Sequence, residues 1–163
     1  FATRYGAELA NGLGNLVNRS LSMLNHYREG VVSAPHDELA AEAIAARDKL
    51  VEQLRANELQ AGLMTIWSYI ARLNQYVDET APFKIAKDPE QAERLGEVLY
   101  NLAESCRLLA VWLQPYLPTT SRRIMEQLNL PPDQVSIAEA GWDGLAEGHK
   151  INAPEALFPR RDK

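Results

Sequence analysis

Between Asp88-Pro89 and Pro115 the chain places Leu95, Val98, Leu99, Leu102, Cys106, Leu109 and Leu113 at three- and four-residue steps. That period lays an apolar stripe along one side of a long α-helix, running from Pro89 to about Gln114, which must be covered by other elements. The rest of the sequence supplies the cover in kind. From about Ala2 to His26, Leu9, Leu13, Leu16, Val17, Leu21 and Leu24 repeat the spacing, and Gly30 to Pro35 breaks it. An Ala-, Glu-, Arg- and Leu-rich stretch predicts a helix from about Asp37 to Leu54, with Leu39, Ile44, Leu50, Val51 and Leu54 on its buried side. Asn57 with Gln60 predicts a cap, opening a helix to about Asp78 whose stripe is Leu59, Leu63, Ile66, Trp67, Ile70, Leu73 and Val77. Asn74 falls at the edge of that stripe, as an amide tying the helix to the turn that follows. A shorter helix is expected after Pro118, capped by Ser121 or a preceding threonine, with Ile124, Met125 and Leu128 inward. No β pattern and no repeat is present, so the expectation is an all-α antiparallel helix bundle.

The stretch from Asn74 to Pro89 joins two of these helices. Pro82 lacks an N–H and biases Ala81 toward extended backbone, so the incoming helix should stop just before it. Asp88-Pro89-Glu90-Gln91 reads as a helix start, with Asp88 as cap, Pro89 at the tolerated first position and Gln91 at capping-box spacing. Phe83 to Lys87 is left as a short connector, with an aromatic beside Lys84 and Lys87. Either Phe83 plugs a groove between helices, or it is exposed as a stacking surface for an unpaired base. On the first helix, Glu8, Asn11, Asn15, Arg19, Ser22 and His26 fall opposite the apolar stripe. Asn15 and Arg19 stand one turn apart, an amide beside a planar cationic fork, a pair able to read base edges and equally a common sight on any surface helix.

A formal charge of −5 argues against indiscriminate coating of nucleic acid and confines any such contact to a local site. One cysteine, Cys106, excludes an internal disulfide and sits in an apolar stripe, as an inert core thiol does. His26, His36 and His149 are scattered without metal-ligand spacing, and no glycine-rich phosphate loop or nucleophile elbow appears. No apolar run reaches the roughly 18 residues of a membrane span. From 135 onward, glycines and prolines interrupt Trp142, Leu145, Ile151, Leu157 and Phe158, which predicts an irregular tail lying on the bundle or on another domain. The start at Phe1, directly in a helical pattern, suggests a piece of something longer.

Three blocks, in order, carry a family likeness: Leu9 to Arg19, Asn74 to Pro89, and Trp142 with Gly148-His149-Lys150-Ile151 and Leu157-Phe158-Pro159-Arg160. Together they resemble the C-terminal anticodon-binding domain of bacterial-type methionyl-tRNA synthetases over nearly the whole chain. The first block is shared loosely with other class I synthetases; the Asp-Glu-Thr-Ala-Pro-aromatic block is more specific to the methionyl branch.

The resemblance implies a bundle of the class I synthetase anticodon-binding type, spanning 1–134, with 135–163 as tail. It implies that Asn15 and Arg19 contact anticodon bases and that Phe83, set by Pro82, stacks on the first base of a CAU anticodon. Lys84 and Lys87 are candidates for tRNA backbone contacts. The family's usual residue at Phe83 is Trp, so this chain offers a smaller ring without an indole N–H. The implied partners are the anticodon stem-loop of methionine tRNA and the enzyme's own catalytic domain, with no DNA and no membrane, in the cytoplasm. ATP, Mg and Zn are expected only in the catalytic part, whose signature motifs are not in this sequence. The chain alone is therefore expected to be inactive and to bind no cofactor. The alternative is a freestanding helical protein-interaction domain without an RNA role.

Overall fold

The computed structural model describes residues 10–131 and 136–154. The expected beginning of the first helix, Pro132, and the block from Leu157 to Arg160 lie outside them. A π-helical turn, Ala10–Gly14, leads into α1, Asn15–Arg28, followed by α2, Ala40–Arg55, and α3, Leu59–Thr80. A one-turn helix α4, Pro82–Ile85, and a 3-10 turn, Pro89–Gln91, then precede α5, Ala92–Leu113, and α6, Pro118–Gln127. Among the described residues beyond α6, the backbone is irregular apart from a 3-10 turn at Ile137–Glu139 and one antiparallel bridge between Val31 and Lys150.

Helix α5 is the axis. Every residue from 98 to 113 is buried, polar ones included, so the apolar stripe in the sequence understates its enclosure. Helices α2 and α3 form one hairpin, α5 and α6 another, and α1 lies along α5 with Leu16, Val17, Leu21 and Leu24 turned inward. Arg28 at the end of α1 meets Ala92 at the start of α5, which makes that pair antiparallel. Tyr69 of α3 locks onto α5 twice, through a 2.8 Å hydrogen bond with Ser105 and an edge-on ring contact with Trp112 at 5.1 Å.

Several local expectations change for identifiable reasons. Helix α2 starts at Ala40, three residues later than expected, because Leu39 is held outside it by a hydrogen bond from its N–H to Asn101 Oδ1. Asn57 does not cap α3. It takes left-handed backbone, φ 61°, and closes α2 instead, with Asn57 N–H donating to Leu54 O and Glu58 N–H to Gln53 O, the paired bonds of a Schellman turn. Leu59, placed in the buried stripe, is 54% exposed because it occupies the first position of α3. Asn74 donates to Ile70 O one turn back in its own helix rather than to the following turn. Pro118 itself occupies the first turn of α6, and Ser121 hydrogen-bonds Ala110 O inside the core instead of capping.

The segment 136–154 is fastened to the bundle by a buried ion pair. Glu104, fully buried, accepts from Arg107 through both oxygens, at 3.0 and 2.8 Å, and the same oxygens accept the N–H groups of Leu145 and Gly144. Arg107 also donates to Gly141 O at 2.6 Å, and Tyr100 Oη donates to Leu145 O. Trp142 Nε1 reaches across to His36 O at 2.8 Å. Gly144 lies so close to the Arg107 guanidinium that a Cβ there would occupy its place. Further along, backbone bonds join Gly148 and His149 to Val32, Ile151 to Gly30, and Asn152 to Gln127.

Removing one member of a buried pair strands the other's charge. Arg107→Ala is expected to destabilise the chain by about 3–5 kcal/mol in denaturant unfolding. Gly144→Ala is expected to destabilise it in the same direction through displacement of the guanidinium.

Candidate nucleic-acid interface

The turn carrying Phe83 is built by proline chemistry and helical period. Helix α3 runs through Thr80, two residues past the expected end, and Ala81 leaves it with φ 46° and ψ 61°, left-handed rather than extended. The residue before a proline is driven out of the right-handed helical region, and here the escape is to the left-handed one. Pro82 then begins α4 at its first position, with Ala81 O accepting Lys84 N–H at 2.9 Å and Pro82 O accepting Ala86 N–H at 2.9 Å. The segment expected to be a connector is therefore helical. Pro82 is buried and Ile85 and Ala86 pack on the core, the i, i+3, i+4 positions of one face. Phe83, Lys84 and Lys87 are thereby left on the outer side. Phe83 is 47% exposed, and both lysines are exposed, without side-chain partners among the described residues.

Both ends of the turn are secured. Upstream, Tyr76 Oη donates to Glu38 at 2.6 Å and Arg94 bridges Glu38 and Glu97 at 3.0 and 3.2 Å, joining the end of α3 to α5. The Arg94 hydrogen bond holds the Glu38 carboxyl below the usual carboxylate range. Downstream, Asp88 accepts from Glu90 N–H at 3.0 Å and from Gln91 Nε2 at 3.1 Å, so the expected helix start forms with a side-chain variant of the capping box.

On α1, Asn15 and Arg19 are exposed, and neither has a hydrogen-bond or ion-pair partner among the described residues. At 1.5 Å rise per residue they lie about 6 Å apart along the helix. His26 continues the same exposed face and stands edge-on to Tyr27, ring centroids 4.9 Å apart. Tyr27 in turn lines a cavity of about 330 Å³ with Ile85 and Ala86, the inward side of the Phe83 turn. The α1 face thus leads to α4 through Tyr27, a link the sequence carries no sign of because the two elements are more than fifty residues apart.

Other chemistry is sparse. Burial pushes the Cys106 thiol up to about 12, so the reactive thiolate is scarce near neutral pH. Among the described residues no three His, Cys, Asp or Glu side chains converge as metal ligands, and no helix is long and apolar enough to cross a membrane.

The architecture matches that of Mycobacterium tuberculosis methionyl-tRNA synthetase in complex with methionyl-adenylate, with a TM-score of 0.83 and 32% identity over 98% of this chain and 33% of that one. The apo form of the same enzyme matches at 0.83 and 30% identity, over 99% of this chain and 34% of that one. The fold is accordingly that of a helical domain of an aminoacyl-tRNA synthetase. Methionine–tRNA ligase of Clostridium acetobutylicum is 40% identical over 99% of this chain and 26% of its own length; that of Bacillus subtilis is 38% identical over 98% and 25%. Residues 29–162 match the family described as the anticodon binding domain of methionyl tRNA ligase. The chain belongs to that family. It spans about a quarter of the length of the curated relatives, and those alignments, unlike the family match, take in the face of Asn15 and Arg19.

Left-handed backbone strains any residue with a Cβ, by roughly 1–2 kcal/mol. Ala81→Gly is expected to raise stability by about 0.5–1 kcal/mol, the relief less the greater flexibility of glycine in the unfolded chain, as read by a higher thermal midpoint.

Proposed function

We propose that this chain reads the CAU anticodon of methionine tRNA, so that the full cytoplasmic enzyme can attach methionine using ATP. The observation that carries the reading is the exposed Phe83 on a turn whose other face is locked into the core. An aromatic ring held in water by a buried proline is pre-organised for stacking, because little side-chain or backbone freedom remains to be lost on binding. Phe83 stacks on the first anticodon base and Pro82 fixes its bearing. Asn15 and Arg19, without a partner among the described residues, supply an amide and a guanidinium to the pairing edges of splayed bases. Lys84 and Lys87 hold the adjoining phosphates. The catalytic part of the enzyme is the second partner. Anticodon binding acts on catalysis by positioning the acceptor end of the tRNA at a distant site, a use of binding energy remote from the reacting atoms.

Titration with a CAU stem-loop and with a loop of altered anticodon tests the reading. Preferential binding of CAU is expected, and equal binding of both loops contradicts it. Arg19→Ala and Phe83→Ala are each expected to weaken CAU binding by roughly 1–3 kcal/mol, with melting midpoints within a degree or so of the parent because both side chains face solvent. Phe83→Trp is expected to bind at least as tightly as the parent, since the larger ring extends the stacking surface without entering the core.

A further inference from the structure

The proposed base readers stand on two elements, α1 and the α4 turn, which line a common cleft where the end of α1 meets the start of α5. Two open clefts flank that junction. One cavity of about 330 Å³ lies between Tyr27, Ile85 and Leu95, and another of about 340 Å³ between Ser33, His36 and Glu97. Arg28 lines both. Its guanidinium donates to Ala92 O in the first turn of α5, and among the described residues this is the one hydrogen bond or ion pair joining α1 to residues 82–97. Gly96 makes room for it. A Cβ there would come to 2.8 Å from Ser33 Oγ and 3.2 Å from Arg28 Nη2.

We infer that Arg28 is a positioning residue for anticodon recognition, a strut that fixes the distance from the Asn15–Arg19 face to the Phe83 turn. This rests on the anticodon reading proposed above. Beneath the strut the core packing of Leu24 and Leu95 holds the elements together, but beside it the clefts leave no second polar tie among the described residues, so loss of Arg28 loosens the local spacing while the core stays intact. Bases held at the wrong spacing satisfy one element and miss the other, and discrimination falls before folding does.

The test compares the parent chain with Arg28→Met, which keeps an unbranched apolar stem but has no donor, and with Arg28→Lys, which restores a cationic donor at the end of the stem. Gly96→Ala is the second probe, because its Cβ displaces Ser33 Oγ and crowds the guanidinium from the same side while leaving the charge in place. Each chain is titrated with CAU and altered-anticodon stem-loops at several salt concentrations, beside thermal melts. Arg28→Met and Gly96→Ala are expected to lower CAU affinity about five- to tenfold and to narrow the CAU preference, with Arg28→Lys intermediate. The slope of log affinity against log salt is expected to stay that of the parent. A slope for Arg28→Met shallower by about 0.7, the mark of one lost phosphate contact, overturns positioning in favour of direct RNA binding. Parent-like affinity and preference in both Arg28→Met and Gly96→Ala also overturns it. If Arg28→Met melts early, Gly96→Ala decides by the same criteria. A parent that shows no CAU preference defeats the anticodon reading itself, a different outcome from a parent that discriminates and variants that discriminate equally.

Discussion

A carboxylate with no access to water, Glu104, sits on the central helix and is made tolerable by four donors: two from Arg107 and the backbone N–H groups of Gly144 and Leu145. Two of those donors belong to a loop some forty residues away in sequence. Burying such a charge unpaired costs several kcal/mol, so the loop closes over it as a condition of folding. The closed loop then carries Trp142 to His36 and sends the following segment between Val32 and Gln127. The ends of α1 and α6 are thereby joined by backbone that has no regular structure of its own. The same residues account for the burial of α5 on all sides, since its polar face is covered by the segment its charges recruit.

The candidate interface depends on a simpler constraint, helical period at a proline. With Pro82, Ile85 and Ala86 inward, the intervening Phe83 and Lys84 have only the outer side available. The exposure of the ring is therefore a consequence of the packing beneath it. Ala81 bears the local strain that sets the turn, an arrangement suited to holding a side chain in one orientation. Arg19 contrasts with several other arginines of the surface. Arg47, Arg72 and Arg94 are engaged with acidic neighbours, whereas Arg19 has no such partner among the described residues.

The helices and their inward residues were legible in the sequence because period and proline punctuation are local signals, and Asp88-Pro89 announced its cap in the residues themselves. Asn15 and Arg19 were placed outward by the same period. Phe83 was not resolved by it: a plug and a platform are written with the same letters, and the resemblance to a family tipped the reading toward the platform. What stayed hidden is nonlocal. Glu104 and Arg107 stand three residues apart, a spacing common on any helix, and nothing local signals the distant loop that supplies their remaining partners. Asn57 and Ala81 depart from the expected backbone because positive torsions in non-glycine residues leave little trace in composition. The Arg28 tie joins elements that only the tertiary fold brings together.

The central claim is that Phe83 stacks on an anticodon base, and the ring itself can report it. Aromatic resonances of Phe83, assigned by its loss in Phe83→Leu, would be followed as a CAU stem-loop is added. Stacking predicts an upfield ring-current shift of those resonances, with cross-relaxation to protons of one loop base. Saturated binding of the stem-loop with the Phe83 resonances unmoved would contradict the account.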